Sequence, residues 1–102
     1  MTFVQTISFS TTRMEEMQSL MEVFGNVERQ HGGAVPGFLG SRVVKDRDRE
    51  NAYMVIAEFE SYELAMQNSA RPETDAFAKE MAALSDGPPT FGNYDVVYED
   101  RP

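Results

Sequence analysis

Phe38-Leu39-Gly40-Ser41-Arg42-Val43-Val44-Lys45, then Asp46-Arg47-Asp48-Arg49-Glu50-Asn51, then Ala52-Tyr53-Met54-Val55-Ile56-Ala57-Glu58-Phe59-Glu60: this continuous stretch decides the fold. Two runs rich in β-branched and aromatic residues flank a charged segment with no apolar side chain. That pattern predicts strands over 38–45 and 52–60, paired antiparallel through an exposed hairpin loop. Working outward, Phe3, Gln5, Ile7 and Phe9 alternate with Val4, Thr6 and Ser8, the period of two expected of a half-buried strand over 3–10. Thr12 stands three residues before Glu15, a capping-box spacing that predicts a helix start. Met14, Met17, Leu20, Met21, Phe24 and Val27 then recur at steps of three and four, one apolar stripe on that helix, which Gly32-Gly33 brings to an end. Pro36-Gly37 turns the chain into the hairpin. Beyond the hairpin, Ser61 caps a short helix through about Ala70, with Leu64 and Ala65 inward. Pro72 breaks it and opens another, whose buried line is Phe77, Met81 and Leu84. Gly87-Pro88-Pro89 stops that helix, and 91–99 reads as a last strand with Tyr94, Val96 and Tyr98 on one side and Asp95, Val97 and Glu99 on the other.

The order is β-α-β-β-α-β, with the second helical region in two pieces: an α+β, ferredoxin-like split βαβ fold in which a four-stranded antiparallel sheet carries its helices on one face. One domain over 1–102 accounts for the length. The other sheet face, lined by Val4, Met54, Ile56 and Val97, would be a large apolar patch in water, so a homodimer paired sheet to sheet is expected.

Composition narrows the partners. Hydrophobic residues at 41% and charged residues at 25% are globular values. A formal charge of −8 repels phosphate backbones and anionic lipid, which sets nucleic acid and membrane aside. The chain has no cysteine, hence no disulfide and no thiolate site. The start, Met1-Thr2-Phe3-Val4-Gln5-Thr6-Ile7, lacks a basic leader and an apolar run, so a cytoplasmic protein is expected.

Three stretches carry a likeness to a known family: Pro36-Gly37-Phe38-Leu39-Gly40-Ser41, Ala57-Glu58-Phe59-Glu60-Ser61 and Tyr62-Glu63-Leu64-Ala65. With them the chain resembles the dimeric α/β-barrel superfamily, and within it the antibiotic-biosynthesis-monooxygenase-like domains. The resemblance implies a dimeric α/β barrel that holds a small aromatic or apolar organic molecule between sheet and helices. Among the activities it implies is cofactor-independent monooxygenation of electron-rich phenols; the alternative is a non-catalytic ligand-binding or stress-associated dimer. Haem-degrading relatives carry an asparagine on the first strand and a tryptophan and a histidine in the later helices. Here the matching stretches are Thr6-Ile7, Gln67-Asn68 and Phe77-Ala78, which departs from that activity. Phe59 stands where the family has a strand-end tryptophan.

Five polar residues are candidates to face such a ligand: Gln5, Arg42, Asn68, Arg71 and Tyr94. Each also has a plain structural role. Asn68 can end a helix, and Arg71 can be a solvated charge before Pro72. Arg42 can pair across the sheet with Glu58 or Asp95, while Gln5 and Tyr94 fit ordinary strand positions. His31, the only histidine, reads as a complement to the first helix's negative end rather than a base. The acidic residues follow no metal-loop pattern, so neither a metal nor a cofactor is expected, and no single residue is marked as catalytic. An oxygenase would still need a proton acceptor in its cavity, either Tyr94 or a buried carboxylate.

Overall fold

The computed structural model describes residues 2–30 and 35–102, with the backbone alone for 27–30. His31, Gly32-Gly33 and the Val27 side chain therefore lie outside the described residues. The elements are β1 (Phe3–Ser10), α1 (Met14–Gln30), β2 (Phe38–Lys45), β3 (Ala52–Phe59), α2 (Tyr62–Ser69), α3 (Pro72–Leu84) and β4 (Thr90–Asp95). All strand pairs are antiparallel, in the order β2-β3-β1-β4. This is the expected split βαβ fold, its second helical region divided at Pro72. Among the described residues no helix is long and apolar enough to cross a membrane.

Local chemistry explains the joints. In the β2–β3 hairpin Asp46 Oδ1 accepts from Asp48 N–H at 2.8 Å, and Asn51 takes a left-handed φ of 59°, a conformation its short polar side chain tolerates. Ser61 Oγ accepts from Leu64 N–H at 3.2 Å and so caps α2, as its place in the sequence predicts. Pro72 occupies the first turn of α3, where its missing N–H removes no helical bond.

The start of α1 departs from expectation. The helix begins at Met14, and the hydroxyl that serves its entry is Thr11, not Thr12. Thr11 is 1% exposed; its Oγ1 accepts from Arg13 N–H at 3.0 Å and donates to the Leu84 carbonyl at 2.7 Å. Thr12 instead donates its backbone N–H to Asp86 Oδ2 at 3.0 Å. Arg13 Nη2 adds a bond to the Ala83 carbonyl at 2.8 Å. The end of α3 is thus the partner that selects Thr11, and a local motif cannot see it.

Strand ends also shift. β3 closes at Phe59, and β4 closes at Asp95, which pairs with Phe3. One further bond, Val96 N–H to the Thr2 carbonyl, ends the pairing. Val97, expected on the open sheet face, lies past the strand at 86% exposure.

The core lies between the sheet and its helices, in two separate clusters. Phe3, Phe59 and Ala65 form one; Phe9, Met17 and Met81 form the other. A sheet face that buries its apolar rows at both ends leaves its middle row to be explained.

Candidate functional site

That middle row is small and polar. Register aligns Ser41 with Ala57, Ala57 with Gln5, and Gln5 with Asn93 across all four strands. On either side run bulkier rows, Phe38–Phe59–Phe3 and Val43–Val55–Ile7–Phe91. Side chains of cross-strand partners share a face, so the helix-facing surface is low along its centre and high at both ends. The helices bridge the dip, leaving beneath them a partly open cavity of about 520 Å³. Its floor includes Gln5, Ser41, Val43, Val55 and Ala57; its roof includes Met21 and Phe24 of α1 and Phe77 and Met81 of α3. Phe24 and Phe77 stack with ring centroids 4.4 Å apart, joining the two helices above the void.

Of the sequence candidates, the structure brings Gln5 and Asn68 to this cavity. Gln5 Nε2 lies 3.5 Å from Asn93 Oδ1 along the floor. Asn68, at the last turn of α2, has its Oδ1 bonded by Arg71 Nη1 at 3.0 Å and by the Thr74 hydroxyl at 3.3 Å. Arg71 stands behind Asn68 rather than on the lining, with its Nε 3.5 Å from Glu73 Oε2.

Arg42 and Tyr94 do not reach the cavity. Phe38 pairs with Phe59 on the helix side, but the register then slips, so that Gly40 faces Glu58 and Arg42 faces Ile56. This bulge inserts one residue and flips every later side chain of β2 to the opposite face, sending Arg42 outward and Ser41 and Val43 inward. Nor does Arg42 make the expected bridge to Glu58 or Asp95: among the described residues no carboxylate lies within salt-bridge distance of it. Tyr94 pairs with Val4 and shares the open face, 58% exposed. Its ring folds over Gly92, where an added Cβ would lie 2.6 Å from Tyr94 Cε2. Tyr94 is thereby removed as the cavity's proton acceptor.

Reading by sequence missed Ser41, Thr74, Asp75 and Phe91 as lining residues. Only the bulge would have identified Ser41; Thr74 and Asp75 were hidden as ordinary first-turn residues of α3. Asp75 is the one carboxylate on the described lining, and its Oδ2 is bound to Lys79 Nζ at 3.0 Å, with the Asp75 side chain 61% exposed. Thr11 is the only buried polar residue among those described, so no carboxylate is buried there. The arrangement can hold a flat apolar body between aromatic and sulfur-bearing walls and meet its polar edge with amides and hydroxyls.

No protein-family model matches the sequence, and no curated protein matches it. Solved structures do resemble it. SnoaB, a cofactor-independent oxygenase from Streptomyces nogalater, is 19% identical with a TM-score of 0.78, over 96% of this chain and 95% of that one. An antibiotic-biosynthesis-monooxygenase-like protein from Caulobacter crescentus is 14% identical with a TM-score of 0.78, over 95% and 91%. A similar one from Nitrosomonas europaea is 11% identical with a TM-score of 0.75, over 95% and 91%. The chain has the fold of the antibiotic-biosynthesis-monooxygenase-like proteins over nearly its whole length.

Proposed function

We propose that this protein binds a flat, largely apolar aromatic molecule in the central cavity and oxidises it with molecular oxygen, using no metal or organic cofactor, as a homodimer. The cavity carries the reading. At about 520 Å³ it falls within the roughly 300–1,000 Å³ of ordinary small-molecule sites. Its aromatic walls and amide-bearing floor suit a planar ring system with oxygen at its edge, and a cofactor-independent oxygenase shares the fold.

The substrate must then supply both the acid and the electrons. An activated methylene flanked by phenolic rings loses a proton to Asp75, the one carboxylate on the described lining, to give a carbanion whose charge spreads onto a ring oxygen. Molecular oxygen adds at that carbon. One of its atoms stays as the new carbonyl oxygen, and the other leaves as water with the two methylene hydrogens, so the balance needs no outside reductant. The protein's share is to hold the ring planar, keep bulk water away and donate hydrogen bonds to the oxygen that takes up charge.

One observation favours a second reading. The described lining offers no base other than Asp75, which is committed to Lys79 and lies at the edge. A cavity that binds without abstracting a proton would make the protein a carrier of the same class of molecule. Oxygen-electrode assays with anthrone and dihydroxynaphthalenes, run beside calorimetric titration, separate the two. The enzyme reading expects binding and uptake of one oxygen molecule per carbonyl formed; binding with no uptake supports the carrier; neither binding nor uptake overturns both.

A further inference from the structure

We infer that Asn68 is a fixed hydrogen-bond donor on the helical wall of the cavity, oriented by Arg71 and Thr74, and that the bound molecule presents an acceptor oxygen to it. This rests on the ligand-binding reading above and adds the polarity of the group recognised.

The orientation of an asparagine amide is usually a matter of choice between two similar placements. Here chemistry removes the choice. Arg71 Nη1 lies 3.0 Å from the amide's outer atom, and a guanidinium has donors only, so that atom must be the oxygen. The Thr74 hydroxyl, 3.3 Å away, supplies a second donor to the same Oδ1. With both lone pairs engaged, the oxygen has no capacity left for a ligand, and the NH2 group is turned away from Arg71. That NH2 makes no bond within the described structure, yet no buried side-chain nitrogen or oxygen there lacks a partner. It is therefore accessible, and the space Asn68 lines is the cavity.

The backbone holds the same corner. Arg71 N–H donates to the Asn68 carbonyl at 3.1 Å, and Pro72 keeps Arg71 extended at φ −69°, ψ 138°. The break between α2 and α3 is what folds the guanidinium back onto the amide.

The floor behaves differently. Gln5 and Asn93 are both amides, and turning both over preserves their bond, so Gln5 can offer the ligand either a donor or an acceptor. Discrimination between donor and acceptor edges falls to Asn68. The described lining contains no lysine or arginine and includes the Asp75 carboxylate, so the recognised oxygen is the neutral oxygen of a ketone, quinone or phenol rather than a carboxylate or phosphate. In the proposed oxidation this oxygen gains charge as the proton leaves, and a fixed N–H donor then binds the transition state more tightly than the ground state.

Two probes of similar shape test the assignment: 1-indanone, which only accepts, and indole, whose N–H only donates. Calorimetry or 15N chemical-shift titration of the wild type should give 1-indanone about tenfold tighter binding, the worth of one net hydrogen bond gained against none. Asn68→Asp keeps the partner of Arg71 and replaces the donor by an acceptor, so the preference should vanish or reverse. Arg71→Gln should release the amide to turn and raise indole affinity toward that of 1-indanone, a change that simple loss of structure would not produce. Dispersed spectra of both variants serve as the folding control. In the ligand-free protein, the Asn68 NH2 protons should show cross-relaxation to cavity side chains; its absence overturns the inference without any ligand. Equal binding of the probes by the wild type, or an unchanged ratio in Asn68→Asp, overturns the donor assignment and leaves the cavity reading standing. Binding of neither probe removes the cavity reading and the donor assignment together.

Discussion

Gly37 shows how much one missing methyl can control. Its φ is +78°, and a Cβ there would lie 2.9 Å from Leu64 Cβ, an atom fixed by the α2 backbone. Gly37→Ala should therefore lose about 1–2 kcal/mol to left-handed strain and about 1–3 kcal/mol more to overpacking. Gly87 has φ +97° with nothing within 4 Å of a built Cβ, so Gly87→Ala should lose only the strain. Urea midpoints of the two variants measure the difference; equal losses would mean that the Gly37–Leu64 contact relaxes freely. Pro36-Gly37 was readable as a turn, but Leu64 as the wall it meets was not, because that contact joins segments distant in sequence. The same limit applied to the site. Gln5 and Asn68 were nameable as polar residues on an apolar strand and at a helix end, whereas the donors that orient Asn68 emerge only where Pro72 folds the chain back.

At the level of elements, alternation and helical stripes located every strand and helix, since each is a local pattern of burial. Parity was harder. Leu39-Gly40 looks like any strand entry, and the bulge there decides whether Arg42 faces the cavity or the open surface. β4 carries apolar residues on both sides, so its own pattern could not say that Phe91, rather than Tyr94, faces inward. Its true end depends on where β1 begins, which is information held by another strand. Helix entries give a direct test of local against tertiary capping. Ser61→Ala should cost about 1 kcal/mol through the lost α2 cap. Thr11→Val, which removes a buried hydroxyl serving both Arg13 N–H and the Leu84 carbonyl, should cost about 1–3 kcal/mol. Thr12→Ala, at an exposed side chain with no capping bond, should stay within about 0.5 kcal/mol. Denaturant titration of the three variants ranks them, and a Thr12 loss as large as that of Thr11 would restore the capping box.

Across the whole molecule the sheet is asked to do two things, one per face. On the helix side its low central row maintains a cavity between two core clusters, and filling that row should close the site without harming the fold. Ala57→Leu is expected to abolish 1-indanone binding while leaving the urea midpoint unchanged or raised. On the open side Val4, Val44, Met54, Ile56 and Tyr94 form an apolar surface interrupted by Arg42 and Glu58. Neither of these two charges has an ion-pair partner among the described residues. A two-fold axis lying in the plane between two such faces, and passing midway between Arg42 and Glu58, would bury the apolar residues and bring Arg42 of each chain toward Glu58 of the other, since in such an interface every contact is made twice. Sedimentation at micromolar concentration should then give twice the single-chain mass of 11.5 kDa. Ile56→Asp, which sets a charge at the centre of the face, should sediment as one chain. Arg42→Glu should weaken association by at least about tenfold, and adding Glu58→Arg should restore it, because reversing both charges keeps their complementarity. A wild type that sediments at the mass of one chain ends the pairing proposal. A double variant no better than Arg42→Glu alone keeps the dimer but removes these two charges from its axis.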